Sequence, residues 1–185
     1  MTGRKFEPLA VQGNGYTIRA VRWKVLEELT AEGLLLEPKG KLRARIILIP
    51  DAGELPEVLA GMEQPGGGGY GVARRLAAAG CEVLVPVLLS RQDDFSGSAS
   101  LNRYTNQTHR EWIYRQAFEV GRHVIGYELQ KIFSAIDWME TANRRKGSIT
   151  AIGVAGYGEG GLLALYAAAL DTRISSTLVS GYFDA

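Results

Sequence analysis

The sequence predicts an α/β protein: a three-layer sandwich around a mostly parallel sheet, with an antiparallel pair of strands at its N-terminal edge. Three observations carry this. Apolar, partly β-branched runs at residues 44–49, 81–89 and 149–155 alternate with helical stretches, the order that builds a parallel sheet covered on both faces. Residues 16–23 and 32–37 precede every helix and read as an antiparallel hairpin at one edge. Residues 149–155 then run without a loop through Gly156-Tyr157-Gly158-Glu159-Gly160-Gly161 into residues 162–170, a strong helix former. That strand, glycine turn and helix form a sharp corner.

Taken in order, residues 1–15 look irregular, and residues 24–31 connect the hairpin strands. Pro38-Lys39-Gly40 marks a turn. The strand at 44–49 (ARIILI) ends in Pro50-Asp51-Ala52-Gly53. Residues 72–79 are helical and stop at Gly80. The strand at 81–89 contains Pro86, which suits an end or a bulge. Residues 90–107 form a long polar loop. Residues 108–142 are helical with a break at Gly121 or Gly126, and Phe118, Val120, Val124, Ile125, Leu129, Ile132, Phe133, Ile136 and Trp138 supply the apolar positions. A turn at 143–147 leads to the corner strand. Residues 177–181 are the last strand, with Leu178 and Val179 on opposite faces.

Composition narrows the function classes. The chain has 185 residues, enough for one domain with a sizeable core. It is 46% hydrophobic and 22% charged with a net charge of +1, so neither nucleic acid nor an anionic membrane is indicated as a partner. No apolar run approaches membrane-spanning length, and no signal peptide is visible at the N-terminus, which leaves the compartment open. Cys81 is the single cysteine and is expected to act as a small buried hydrophobe; neither a disulfide nor a cysteine metal site can be built from it. No cofactor or metal is expected. His109 and His123 are expected to be surface or packing residues, and Arg110, Arg115 and Arg122 a solvated face. Ser96, Ser98 and Ser100 lie in a loop without a visible base. Asn106-Gln107-Thr108 matches a glycosylation sequon by pattern only.

Two kinds of site use such a corner. A dinucleotide turn, G-x-G-x-x-G, is satisfied by Gly156, Gly158 and Gly161. A nucleophile elbow, G-x-S-x-G, is satisfied everywhere except at Gly158, where the serine would stand. Position favours the elbow. A dinucleotide turn follows the first strand of its domain, whereas this corner follows the fifth, and Gly160 is required only by the elbow. Pro65 to Gly71 also matches G-x-G-x-x-G but follows no strand, and reads as a loop. Asp184, the one acid placed to bind a ribose, lies beyond the last strand.

From about Ala44 to Tyr182 the chain resembles the α/β-hydrolase superfamily, in its dienelactone hydrolase and acetyl xylan esterase-like branch. The resemblance rests on Gly156 to Gly161, similar to the G-x-S-x-G-G elbow. It rests also on the Arg122-His123-Val124-Ile125-Gly126-Tyr127-Glu128 helix leading to Asp137-Trp138, and on the succession of strand, PDAG loop, helix and CEVLVP strand. It implies serine acyl transfer on a small ester or an acetylated carbohydrate. It also implies an oxyanion hole built from the backbone N–H of Glu159 and of the Ala52-Gly53 turn; a plain strand-to-loop turn is the equal alternative for Pro50 to Gly53.

Two departures shape the expectation. Gly158 has no side chain to act as nucleophile. The family's acid and histidine follow the nucleophile, yet the chain after Gly158 holds no histidine, and its only aspartates are Asp171 and Asp184. The chain is therefore expected to be an esterase-like domain without an intact triad: a lineage that lost catalysis, a chain lacking the last strands of the fold, or both. The rivals are a nucleotide-binding module and a non-catalytic binding or structural domain. The last strand is expected to leave a free edge through which the chain self-associates.

Overall fold

The computed structural model describes residues 10–62, 71–94 and 96–183. Seven strands form one sheet: β1 (Ala10–Gln12), β2 (Tyr16–Lys24), β3 (Thr30–Pro38), β4 (Ala44–Ile49), β5 (Cys81–Pro86), β6 (Ile152–Tyr157) and β7 (Ile174–Ser180). Their spatial order is β1-β2-β3-β5-β4-β6-β7. The β5-β4-β6-β7 half is parallel, and β1, β2 and β3 extend it antiparallel, as the hairpin predicts.

The helices are α1 (Pro56–Leu59), α2 (Val72–Ala78), α3 (His109–Glu119), α4 (Val124–Arg145) and α5 (Glu159–Leu170). Alternate strand residues feed two cores. Leu35, Ile47, Ile49 and Leu84 pack with Leu129, Ile132, Ile136 and Met139 of α4 and with Leu163, Ala164 and Ala167 of α5. Leu34, Leu36, Leu48, Val83 and Val85 pack on the other face with Ala73 and Ala77 of α2. The result is the expected three-layer sandwich. Among the described residues, no helix is long and apolar enough to cross a membrane.

Several boundaries differ from the expectation. Residues 10–12 are not irregular: they pair with β2, and Ala10 lies opposite Arg19. The four-residue helix α1 is too short to leave a periodic signal. The helical break falls at Gly121, whose φ is +69°, and not at Gly126, which lies inside α4. Phe118, Val120 and Trp138 are exposed instead of joining the core. Cys81 is half-buried, and what burial it has raises its thiol pKa.

The expected turn at 143–147 also moves, because α4 continues through Arg145 and Asn143 is buried within it. Asn143 donates to the Thr150 carbonyl (2.8 Å) and accepts from Arg45 Nε (2.9 Å). Arg45 is 1% exposed beneath the sheet and pairs with the buried Glu82. This polar link holds the segment before β6, so the strand starts at Ile152, while Ile149 is fully exposed. Past α5, Arg173 binds Asp171, Asp137 and Glu140 and ties the entry of β7 to α4. Its hydrogen bonds hold the Asp171 carboxyl below the usual carboxylate range.

Candidate active site

The sheet order creates the site. From β4 the chain passes through α2 to β5 on one side, and from β5 through α3 and α4 to β6 on the other. The strand ends of β4 and β6 therefore flank a topological switch point, where open α/β sheets place their ligands. Parallel pairing sets Ile49 beside Gly156. The next residues, Pro50-Asp51 after β4 and Tyr157-Gly158 after β6, consequently emerge side by side.

Gly158 has φ +55° and ψ −121°, outside the regions open to most side chains. It turns the chain from β6 into α5 within one residue. Tight packing explains the flanking glycines: a Cβ on Gly156 would meet the Gly160 carbonyl oxygen at 2.0 Å, and one on Gly160 the Ile49 carbonyl oxygen at 2.3 Å. The strand-to-helix corner is thus strained at Gly158, a residue without a side chain.

The space of that side chain is taken. A Cβ on Gly158 would lie 2.7 Å from both Cγ and Oδ1 of Asp51. Asp51 Oδ1 accepts two hydrogen bonds of 2.9 Å, from the backbone N–H of Ala52 and from that of Glu159. These are two of the three amides named from the sequence for an oxyanion hole; the third, Gly53, is exposed in the same turn. Asp51 also supplies negative charge at the N-terminus of the twelve-residue α5, where the helix dipole favours it. In the PDAG turn the sequence points to the amides of Ala52 and Gly53, and the structure adds the Asp51 carboxylate. The available sequence signal was an acid at this turn together with a glycine at the centre of the β6–α5 corner.

A second group of charges braces the corner. Glu159 accepts from Arg91 Nη2 (2.6 Å) and pairs with Arg110. Arg110 also lies 3.5 Å from Glu128, which is fully buried, pairs with Lys131 (2.8 Å) and accepts from Leu89 N (2.7 Å). Arg110 is thus not part of a solvated face: it is 9% exposed and binds α3 to α4 and α5. Arg115 is exposed as expected, in an i,i+4 pair with Glu111. The sequence signal for this group was Glu128 itself, a charge set on the apolar stripe of α4 beside Leu129 and Ile132.

His109 opens α3. His123 caps α4, accepting from Ile125 N through Nδ1, and its ring lies edge-on to Tyr114 at 5.2 Å. Ser96 and Ser98 bond within their own loop, Ser96 to the Thr105 carbonyl and Ser98 to Ser100. Tyr157 is exposed and, with Gly156, lines an apolar cavity of about 460 Å³ bounded also by Leu48, Val58, Val72 and Leu178. Among the described residues, no three His, Cys, Asp or Glu side chains cluster to hold a metal. Asp184 and most of the glycine loop from Pro65 lie outside the described residues.

A model of the dienelactone hydrolase family matches residues 43–181, three-quarters of the chain and the whole of this corner. The chain belongs to the dienelactone hydrolase family. No curated protein matches it in sequence. Among solved structures it is similar to a candidate acetyl xylan esterase of Bacteroides fragilis, with a TM-score of 0.68 and 20% identity over 94% of this chain and 48% of that one. It is also similar to a dienelactone hydrolase of Anabaena variabilis, with a TM-score of 0.56 and 23% identity over 90% and 63%. A glucuronoyl esterase of Solibacter usitatus gives a TM-score of 0.56 and 18% identity over 96% and 52%. At these identities the likeness shows the fold. The chain spans about half to two-thirds of the length of these proteins.

Proposed function

We propose that this member of the dienelactone hydrolase family is an esterase-like domain that does not carry out serine acyl transfer, and that its ligand is a small carboxylic ester or an acetylated carbohydrate. The carrying observation is Asp51 Oδ1, which accepts from Ala52 N and Glu159 N directly beside a nucleophile position that is glycine. An oxyanion hole works by offering N–H groups to the negative charge that develops on the substrate oxygen. Here both donors already serve a carboxylate of the chain. The ligand class is taken from the esterases of the same fold. The dinucleotide alternative is opposed by charge, because a pyrophosphate approaching the start of α5 would meet Asp51.

Hydrolysis of p-nitrophenyl acetate by the purified chain is expected to match a buffer and albumin control. Sustained turnover with an acyl group trapped on this chain would overturn the reading.

The same protein taken alone is expected to self-associate. β7 pairs only with β6, so its outer backbone groups have no strand partner among the described residues, and Leu178 is 59% exposed. Size-exclusion chromatography with light scattering over a concentration series should show mass rising with concentration. A constant monomer mass would remove this proposal.

A further inference from the structure

We infer that the apolar cavity between α1, α2 and the ends of β6 and β7 binds a small amphiphilic cation: an ammonium group on a short aryl or alkyl chain. The cavity lies next to the Gly158 turn, but its occupancy does not depend on how that turn treats esters.

The cavity follows from how the sheet is covered. On this face α2 packs over β3, β4 and β5 through Ala73 and Ala77. Beyond β4 that cover ends: Leu178 of β7, set beside Ala155 by the strand register, is apolar and yet exposed. Val58 of α1 and Val72 of α2 close the other side and leave about 460 Å³, a volume in the range of small-molecule sites. Displacing water from such walls favours a ligand with an apolar body.

The sign of the ligand's charge is set at the rim. Among the described residues, Glu54 is the one charged side chain lining the cavity; it is exposed and has no ion pair. The guanidinium of Arg74 packs against Gly61 and lines a neighbouring cavity with Tyr16 and Ile18 instead. Tyr157 supplies an aromatic wall. Its ring lies against Gly181, where a Cβ would come within 2.5 Å of it, and this backing holds an otherwise exposed side chain. A cation beside such a ring is drawn to the negative potential of its π face. Ser180, set beside Tyr157 by the same register, adds a hydroxyl able to accept from an ammonium group. An anion would meet the unpaired Glu54 carboxylate, and a neutral ligand would gain nothing from it.

The test titrates the full chain with 2-phenylethylammonium, and with 2-phenylethanol and 3-phenylpropanoate as its neutral and anionic counterparts. Methyl-resolved NMR should show saturable shifts at Leu48, Val58, Val72 and Leu178. The ammonium is expected to bind about tenfold more tightly than the alcohol, the joint effect of an exposed ion pair and a cation–π contact. The carboxylate should bind more weakly than either. Glu54→Gln, an exposed and nearly isosteric change, should lower the preference for the ammonium over the alcohol by about threefold. Equal affinity for ammonium and alcohol, or a preference unchanged in Glu54→Gln, would overturn the assignment. So would the lack of any saturable shift at these four residues. Neither result of the p-nitrophenyl acetate assay bears on these outcomes.

Discussion

Gly158→Ser is expected to destabilise the chain by about 2–6 kcal/mol and to give no ester turnover. Two costs combine. A side chain at φ +55° and ψ −121° carries backbone strain of roughly 1–3 kcal/mol. Its Cβ would also sit 2.7 Å from Asp51 Cγ, and relieving such an overlap costs about 1–3 kcal/mol. Activity should stay absent because no histidine or acid is supplied with the hydroxyl. The overlap makes the two positions interdependent. Asp51→Gly, which empties the occupied space, should lessen the penalty of Gly158→Ser by roughly 1–3 kcal/mol in a double-mutant cycle. Urea melts of the four proteins measure this. Strict additivity would show that Asp51 does not fill the nucleophile's place in solution.

Arg45→Ala is expected to cost about 3–5 kcal/mol, among the largest effects of any single side chain in the fold. Arg45 is 1% exposed and is the buried partner of Glu82, and it donates to Asn143, which in turn holds the Thr150 carbonyl. Truncation strands the Glu82 carboxylate beneath the sheet and loosens the approach to β6. The pair is not itself a source of net stability, since both charges were taken out of water and Arg45 Nη2 has no hydrogen-bond partner among the described residues. The double variant Arg45→Met with Glu82→Leu should therefore recover most of the loss. A denaturant melt showing the double variant to be as unstable as Arg45→Ala would contradict this account.

What the sequence determined by itself was local. The corner from β6 to α5 is legible because a β-branched run, four glycines and an alanine-rich helix follow one another within a short span. That residue 158 is a glycine and that residues 159–185 hold no histidine are likewise facts of the sequence. The hairpin of β2 and β3 was legible through alternation, as was the alternation of strands and helices that implies a parallel sheet. The ends of β6 and α4 were not, because Asn143 and Arg45 are far apart in the chain and their burial outweighs the turn-forming residues near Gly147.

The tertiary structure alone decided what stands at the corner between β6 and α5. Asp51 and Glu159 are 108 residues apart, and only the pairing of β4 with β6, with Ile49 opposite Gly156, brings that carboxylate to the elbow amides. Arg110 is similar: on its own helix it has the spacing of a surface charge, and it is buried because Glu159 and Glu128 converge on it from α5 and α4. Periodicity and turn chemistry act over a few residues. Strand order and register join distant segments, and a charge finds its partner only after the sheet has closed.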